Sequence, residues 1–507
     1  MRLRAILIAL VLAAALAAAS NLHAVESPTL DVQEFTLENG LTILIIERHQ
    51  VPTVAACLAY RVGSADESTG ITGIAHFIEH LYDKGTPMLG TTDPAREQEL
   101  IARKDEVMTA LRAERRRAQP DAEKIAALEA RYAELKAEHE AITVSGEIDK
   151  LLDEAGADGK NATTSRDQTN YFTSLPKNKL ELWCAVFSQI MRGPVFREFY
   201  EEQQVIIEER RSRVDNSPGG ALWEALFAAL YAGHPYHHPM LGWPDDMASY
   251  TRGQVMAFYT RYYAPNRAVL TIVGDVEPAE TVALIERYFG DIPRQPPPGT
   301  RRTAEPAPRG EKLVTVEFEA QPRVYCAWLT VPLDHPDYPV FDLIAEIMTG
   351  GRTTRLTKRL VEEEQIALGI WCWMSGLRDT NPFMYAALPR APHTSEEIDA
   401  AVLEEFERLK TELVGERELR RAKNQLAAGF VRALESNLEL AKLVGEYEVL
   451  LGWEVLRDYV PKIEAVTAED IQRVARTYLN RTNRTIAFLV PRTAAQPTSE
   501  APAGDGQ

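Results

Sequence analysis

Cysteine is scarce: four residues in 507. Cys57, Cys184, Cys326 and Cys372 each sit inside an apolar run, none at metal-binding spacing. Buried free thiols are expected, and a disulfide scaffold is not suggested for so large a chain. Long apolar runs are equally rare. The only one, residues 5–19, follows Arg2 and Arg4 and precedes small residues, the pattern of a secretory signal peptide over residues 1–24 cleaved after Ala19 or Ala24. It is shorter than the ~20 residues of a membrane span, so an uncleaved anchor is the lesser reading. No cysteine follows the cleavage point, which argues against a lipoprotein. An excess of positive charge is missing too. Lys and Arg total 56 against 74 Asp and Glu, a net charge of −18, which disfavours nucleic acid and anionic membranes as partners. A soluble periplasmic or secreted bacterial protein is expected, long enough for two or more domains.

What is present is a repeated order of signals. Residues 291–312, "DIPRQPPPGTRRTAEPAPRGEK", lack apolar periodicity and read as a linker. On either side the chain opens with strand-like runs ("LTILIIERH" and "TVAACLAYRVG"; "LVTVEFE" and "RVYCAWLTVPL"). Each side closes with a Thr-started helix, an aromatic stop, an Asn-Arg turn and an apolar strand, at 250–276 and 466–491. The fold class expected is α+β: two homologous domains, each a mainly antiparallel sheet covered by helices, facing each other across a cavity. Their expected bounds are 28–290 and 313–492, with a disordered tail at 493–507. Within the first, the Ala/Glu/Arg/Leu-rich stretch at about 95–148 reads as an inserted helical hairpin, projecting because its apolar positions are sparse.

The stretch "IAHFIEHLYDKGT" (74–86) places His76 and His80 four apart, on one face of a helix, with Glu79 beside them. That spacing can bind one metal ion, although a lone HxxEH also occurs in bland amphipathic helices. Downstream, "FYEEQQVIIEERRSRVDN" (199–216) reads as a long helix carrying Glu202 and Glu209 two turns apart on one face. The histidines of "HPYHHPMLGWP" (His234, His237 and His238) read as an ordered Pro-rich loop in preference to a second metal site.

Together with "NATTSRDQTNYF" (161–172), "YYAPNRAVLTIVGDV" (262–276) and "TGGRTTRL" (349–356), these motifs resemble the inverted-motif zinc peptidases of the pitrilysin, insulysin and mitochondrial-processing-peptidase kind. The resemblance covers nearly the whole chain after residue 24. It implies one Zn²⁺ per chain, with His76, His80 and Glu209 as ligands and a fourth position open for water. It further implies Glu79 as general base, Glu202 as a supporting carboxylate, and Asn161 and Ala162 on an edge strand that pairs with a peptide substrate. The separation of 129 residues between His80 and Glu209 exceeds the family's, and the hairpin accounts for the excess. The family's second half normally carries an arginine and a tyrosine seven apart that grip the substrate. Val361 and Leu368 stand at those positions here. The resemblance therefore implies a heterodimeric zinc endopeptidase whose homologous, zinc-less partner carries the Arg/Tyr pair. The competing reading is a non-catalytic assembly subunit related to respiratory-complex core proteins, which an intact His76/Glu79/His80/Glu209 set disfavours.

Overall fold

The structure, a computed structural model, describes residues 30–299 and 302–492. The expected signal peptide and tail lie outside the described residues.

Two mixed sheets organise the chain. The first contains β1 (Gln33–Thr36), β2 (Thr42–Glu47), β3 (Thr53–Tyr60), β4 (Asp158–Thr164), β5 (Thr169–Pro176) and β6 (Ala268–Gly274), in the order β1-β2-β6-β3-β5-β4. The second contains β7 (Lys312–Phe318), β8 (Arg323–Leu329), β9 (Ala367–Met374), β10 (Pro382–Pro389) and β11 (Arg484–Pro491), in the order β7-β11-β8-β10-β9. Without β1 the first order is the second one repeated. In each sheet one pair is parallel, β2 with β6 and β7 with β11, and the other pairs are antiparallel. Such a shared exception is the mark of homologous halves.

Every residue of β6 is buried, as are seven of the eight in β3, because both faces of the first sheet are covered. On one face Ile43, Val54 and Leu58 pack with Phe77, Leu81 and Trp183. The other face, with Leu44, Ile46, Ala55, Cys57, Val269 and Val273, is closed by Leu440, Ala441 and Val444 of the helix Asn437–Leu450. That helix comes from the second half of the chain. The loan is returned: Leu222, Leu226 and Leu230 of the first-half helix Pro218–Leu230 cover Ala327, Leu329, Ala487 and Leu489 of the second sheet. The two halves therefore share their cores.

The inserted hairpin consists of helices Pro94–Arg115 and Ala122–Glu140, capped by the Asp93 and Asp121 side chains. It lies against the body, which the sparse apolar positions did not predict. Its inner side buries Leu100 and Ile101, and with them the charged Glu97 and Lys104. Glu97, 1% exposed, accepts from Arg197 (2% exposed) and pairs with His139 at 2.9 Å. Hydropathy patterning does not register an interface whose buried members are paired ions.

Candidate metal centre

The helix Ile74–Leu81 starts at Gly73, whose φ of +85° belongs to the left-handed region and where a Cβ would stand 2.3 Å from the Leu241 carbonyl oxygen. The buried carboxylate of Glu67 accepts from the Gly73 and Ala75 amides, at 2.6 and 2.9 Å, and so satisfies donors at the helix start. Ile74, Phe77, Ile78 and Leu81 point into the core. The remaining face carries His76, Glu79 and His80 into a cleft of about 990 Å³. The second helix, Phe199–Arg210, buries Phe199, Gln203 and Ile206 and gives the cleft Glu202, Val205 and Glu209. It is anchored at its end by Arg210, which donates to Glu224 and to the Gly242 carbonyl at 2.7 and 2.9 Å.

The structure brings His76, His80 and Glu209 together: one ligand atom from each lies within 4.8 Å of the others. Glu209 Oε2 is 3.1 Å from His80 Nε2 and 3.6 Å from His76 Nε2. That oxygen is buried and has no hydrogen-bond partner. Two imidazole nitrogens around an orphaned carboxylate oxygen fit a divalent cation with an N₂O donor set, the chemistry of zinc. Burial and the neighbouring His80 push the His76 pKa down to about 4, which keeps one ring nitrogen's lone pair free. Burial opposes the charging of His80, yet the Glu202 and Glu209 carboxylates beside its ring raise its pKa to about 9. Glu202 Oε2 lies 3.3 Å from His80 Nδ1, and Glu202 Oε1 takes a 2.9 Å ion pair from Lys84. Glu202 thus orients the ring from behind. Glu79 faces the same cleft; burial raises its pKa, against a hydrogen bond donated by Thr164.

Asn161 and Ala162 lie on β4, the edge of the first sheet, and line the cleft with Thr163 and Thr164. Asn161 pairs with Phe172 of β5, and among the described residues the other side of β4 has no neighbouring strand. The cleft lining runs from His76 to Met240, all from the first half. In the second half Val361 packs against the core and Leu368, 48% exposed, sits on β9. Neighbouring arginines are engaged: Arg355 with Glu418, and Arg359 with Glu364, Glu404 and Glu405.

His234, His237 and His238 form no metal group among the described residues. His234 lies between Asp379 (Nε2, 3.2 Å) and the Tyr236 amide, and His237 Nδ1 meets the His234 carbonyl at 2.8 Å. A second converging trio, Glu47, His49 and Glu277, lies on the exposed surface. Sequence reading missed Lys84, Thr164 and Arg213. Arg213 lines the cleft and pairs with Glu209 Oε1 at 3.0 Å. Its place four residues after Glu209 was a visible signal, whereas Thr164 reaches Glu79 only through the sheet.

Family models match two stretches of the chain: "Insulinase (Peptidase family M16)" over residues 141–243 and "Peptidase M16 inactive domain" over 249–426. The first begins just past the hairpin, which separates it from the histidine helix. The zinc protease PqqE of Helicobacter pylori is 27% identical over 469 residues, 90% of this chain and 93% of that one. The probable mitochondrial-processing peptidase subunit beta of Schizosaccharomyces pombe is 24% identical over 459 residues, 87% of each chain. The crystal structure of a protease from Helicobacter pylori has a TM-score of 0.76 at 25% identity, covering 91% of this chain and 100% of that one. With the repeated sheets and the inverted histidine motif, these likenesses show that the chain belongs to peptidase family M16, the insulinase family.

Proposed function

We propose that this protein is a zinc-dependent endopeptidase acting on peptides or unfolded segments, with one Zn²⁺ held by His76, His80 and Glu209. The observation that carries the reading is the buried, unpartnered Glu209 Oε2 facing both imidazole Nε2 atoms from a helix 129 residues away in sequence. A bound Zn²⁺ supplies acidity to a water and polarises the scissile carbonyl. Glu79 takes the proton from that water and returns it to the leaving amine. Thr164 holds Glu79 Oε2, which leaves the other oxygen for the proton. The open edge of β4 at Asn161 and Ala162 receives the peptide as an added strand, with affinity drawn from main-chain hydrogen bonds.

Among the described residues the cleft takes none from the second half, Val361 and Leu368 stand where the clamp would be, and Arg355 and Arg359 are held by carboxylates. These observations support a catalytic subunit that works with a homologous, zinc-less partner carrying an arginine and a tyrosine. The sequence of residues 1–24 supports export to the periplasm or beyond. Among the described residues no helix is long and apolar enough to cross a membrane.

Glu79→Gln tests the reading. Loss of a general base costs about 10²–10⁴-fold in turnover. We expect a fall of that size against a peptide library, with zinc content unchanged by elemental analysis. Unchanged turnover in the variant would overturn the assignment.

A further inference from the structure

We propose that Arg213 is a positioning residue of the metal centre, holding Glu209 so that it offers the ion one oxygen and not two. The inference rests on the zinc-peptidase reading above and assigns a residue which that reading leaves unused.

The two oxygens of Glu209 have different surroundings. Oε2 is buried, without a hydrogen bond, and faces both imidazoles. Oε1 points outward to Arg213 Nη1 at 3.0 Å. Arg213 stands one turn beyond Glu209, where the regular helix gives way to a wider turn over Arg211–Asp215. Nearby cations are engaged elsewhere: Lys84 with Glu202, Arg210 with Glu224, and Arg211 with Glu208. Glu209 is the one ion-pair partner of Arg213 among the described residues, and the Arg213 side chain is otherwise 66% exposed at the cleft wall.

An exposed ion pair of this kind contributes only about 0–1 kcal/mol to folding. Its consequence is geometric. A carboxylate free to rotate can engage a divalent cation with both oxygens. Two imidazoles and a bidentate carboxylate already fill the four positions zinc prefers, so a water or a peptide carbonyl then has to enter as a fifth ligand. By occupying Oε1, Arg213 raises the cost of the bidentate arrangement and keeps the fourth position free. Outer partners of metal ligands typically carry about 10–100-fold in metal affinity or activity.

The test uses the full chain, stripped of metal and reloaded with Co²⁺, in wild type, Arg213→Ala and Arg213→Lys. Four-coordinate Co²⁺ absorbs strongly in the visible, and higher coordination weakens the bands. For Arg213→Ala we expect a weaker cobalt spectrum, a Co²⁺ affinity shifted about 10–100-fold, and a lower kcat at unchanged KM. Arg213→Lys, which retains a donor, should recover part of each. Thermal unfolding of the metal-free chains should be the same for all three, and Arg213→Gln takes the place of any alanine variant that fails to fold. A spectrum and affinity identical to wild type in Arg213→Ala overturns the role of Arg213. A wild-type chain that takes up no Co²⁺ or Zn²⁺ overturns the metal centre itself.

Discussion

Glu79 acquires its setting from a residue on a different element. Thr164 closes β4, is buried, and donates its hydroxyl to the Glu79 carboxylate. A hydrogen bond to a charged group contributes about 1.5–3 kcal/mol. If Thr164 fixes the base, Thr164→Val should lower kcat about 10- to 100-fold, since each 1.4 kcal/mol is a factor of ten. Zinc content should not change, and steady-state kinetics with metal analysis on the same preparation check both halves of the expectation. Thr164→Ser, which retains the hydroxyl, should stay near wild type. The residue types of the site were legible early: His76, Glu79 and His80 advertise themselves by spacing. Thr164 was not, because strand pairing, not sequence distance, brings it to Glu79.

The helices that carry the site are braced by the inserted hairpin. Arg197 donates to the carbonyls of Lys84, Thr86 and Leu89, just past the histidine helix, and to both oxygens of Glu97 in the hairpin. Tyr200, at the start of the glutamate helix, donates to Asp105 of the hairpin at 2.8 Å. Removing one member of a buried ion pair costs about 3–5 kcal/mol because the other charge is left unpaired. Glu97→Ala should therefore destabilise the protein by that order in urea unfolding, while Glu99→Ala, which removes an exposed pair with Arg96 on the same helix, should leave the unfolding midpoint almost unmoved. Equal effects would mean that the hairpin is an ornament. Its helical character was readable from composition, but its seating was not. Only the partner Arg197, a hundred residues away, turns Glu97 from a surface acid into an anchor.

The whole molecule is held by exchange between its halves. Helix Asn437–Leu450 covers the first sheet and helix Pro218–Leu230 the second. In the linker, Arg302 pairs with Asp66 and Asp167 of the first half and Asp379 of the second. A chain cut to residues 25–299 should expose the apolar far face of the first sheet and aggregate. Co-expression with residues 302–492 should restore soluble protein, read by size-exclusion chromatography. Stability should also depend on pH through Asp342. Burial pushes its pKa up to about 7, opposed by one hydrogen bond from Tyr459. Between the ordinary carboxylate range and pH 7 the unfolded chain has lost this proton and the folded chain retains it. Ionisation then favours unfolding, so the Asp342 contribution declines as pH rises from about 4 to 7 and levels off above. Asp342→Asn should remove that slope, measured by urea unfolding at a series of pH values.

By itself the sequence determined the two-fold repeat, the helical insertion and the helix face that carries His76, Glu79 and His80, since each is written in local periodicity and short motifs. The pairing of Glu209 with the histidines could be named only by likeness, because the sequence carries no measure of a distance spanning 129 residues. Tertiary structure alone decided which half covers which sheet and why charged residues can be buried in the hairpin. Burial of a charge is tolerable only beside its counter-charge, and adjacency of that kind exists only once the chain has folded.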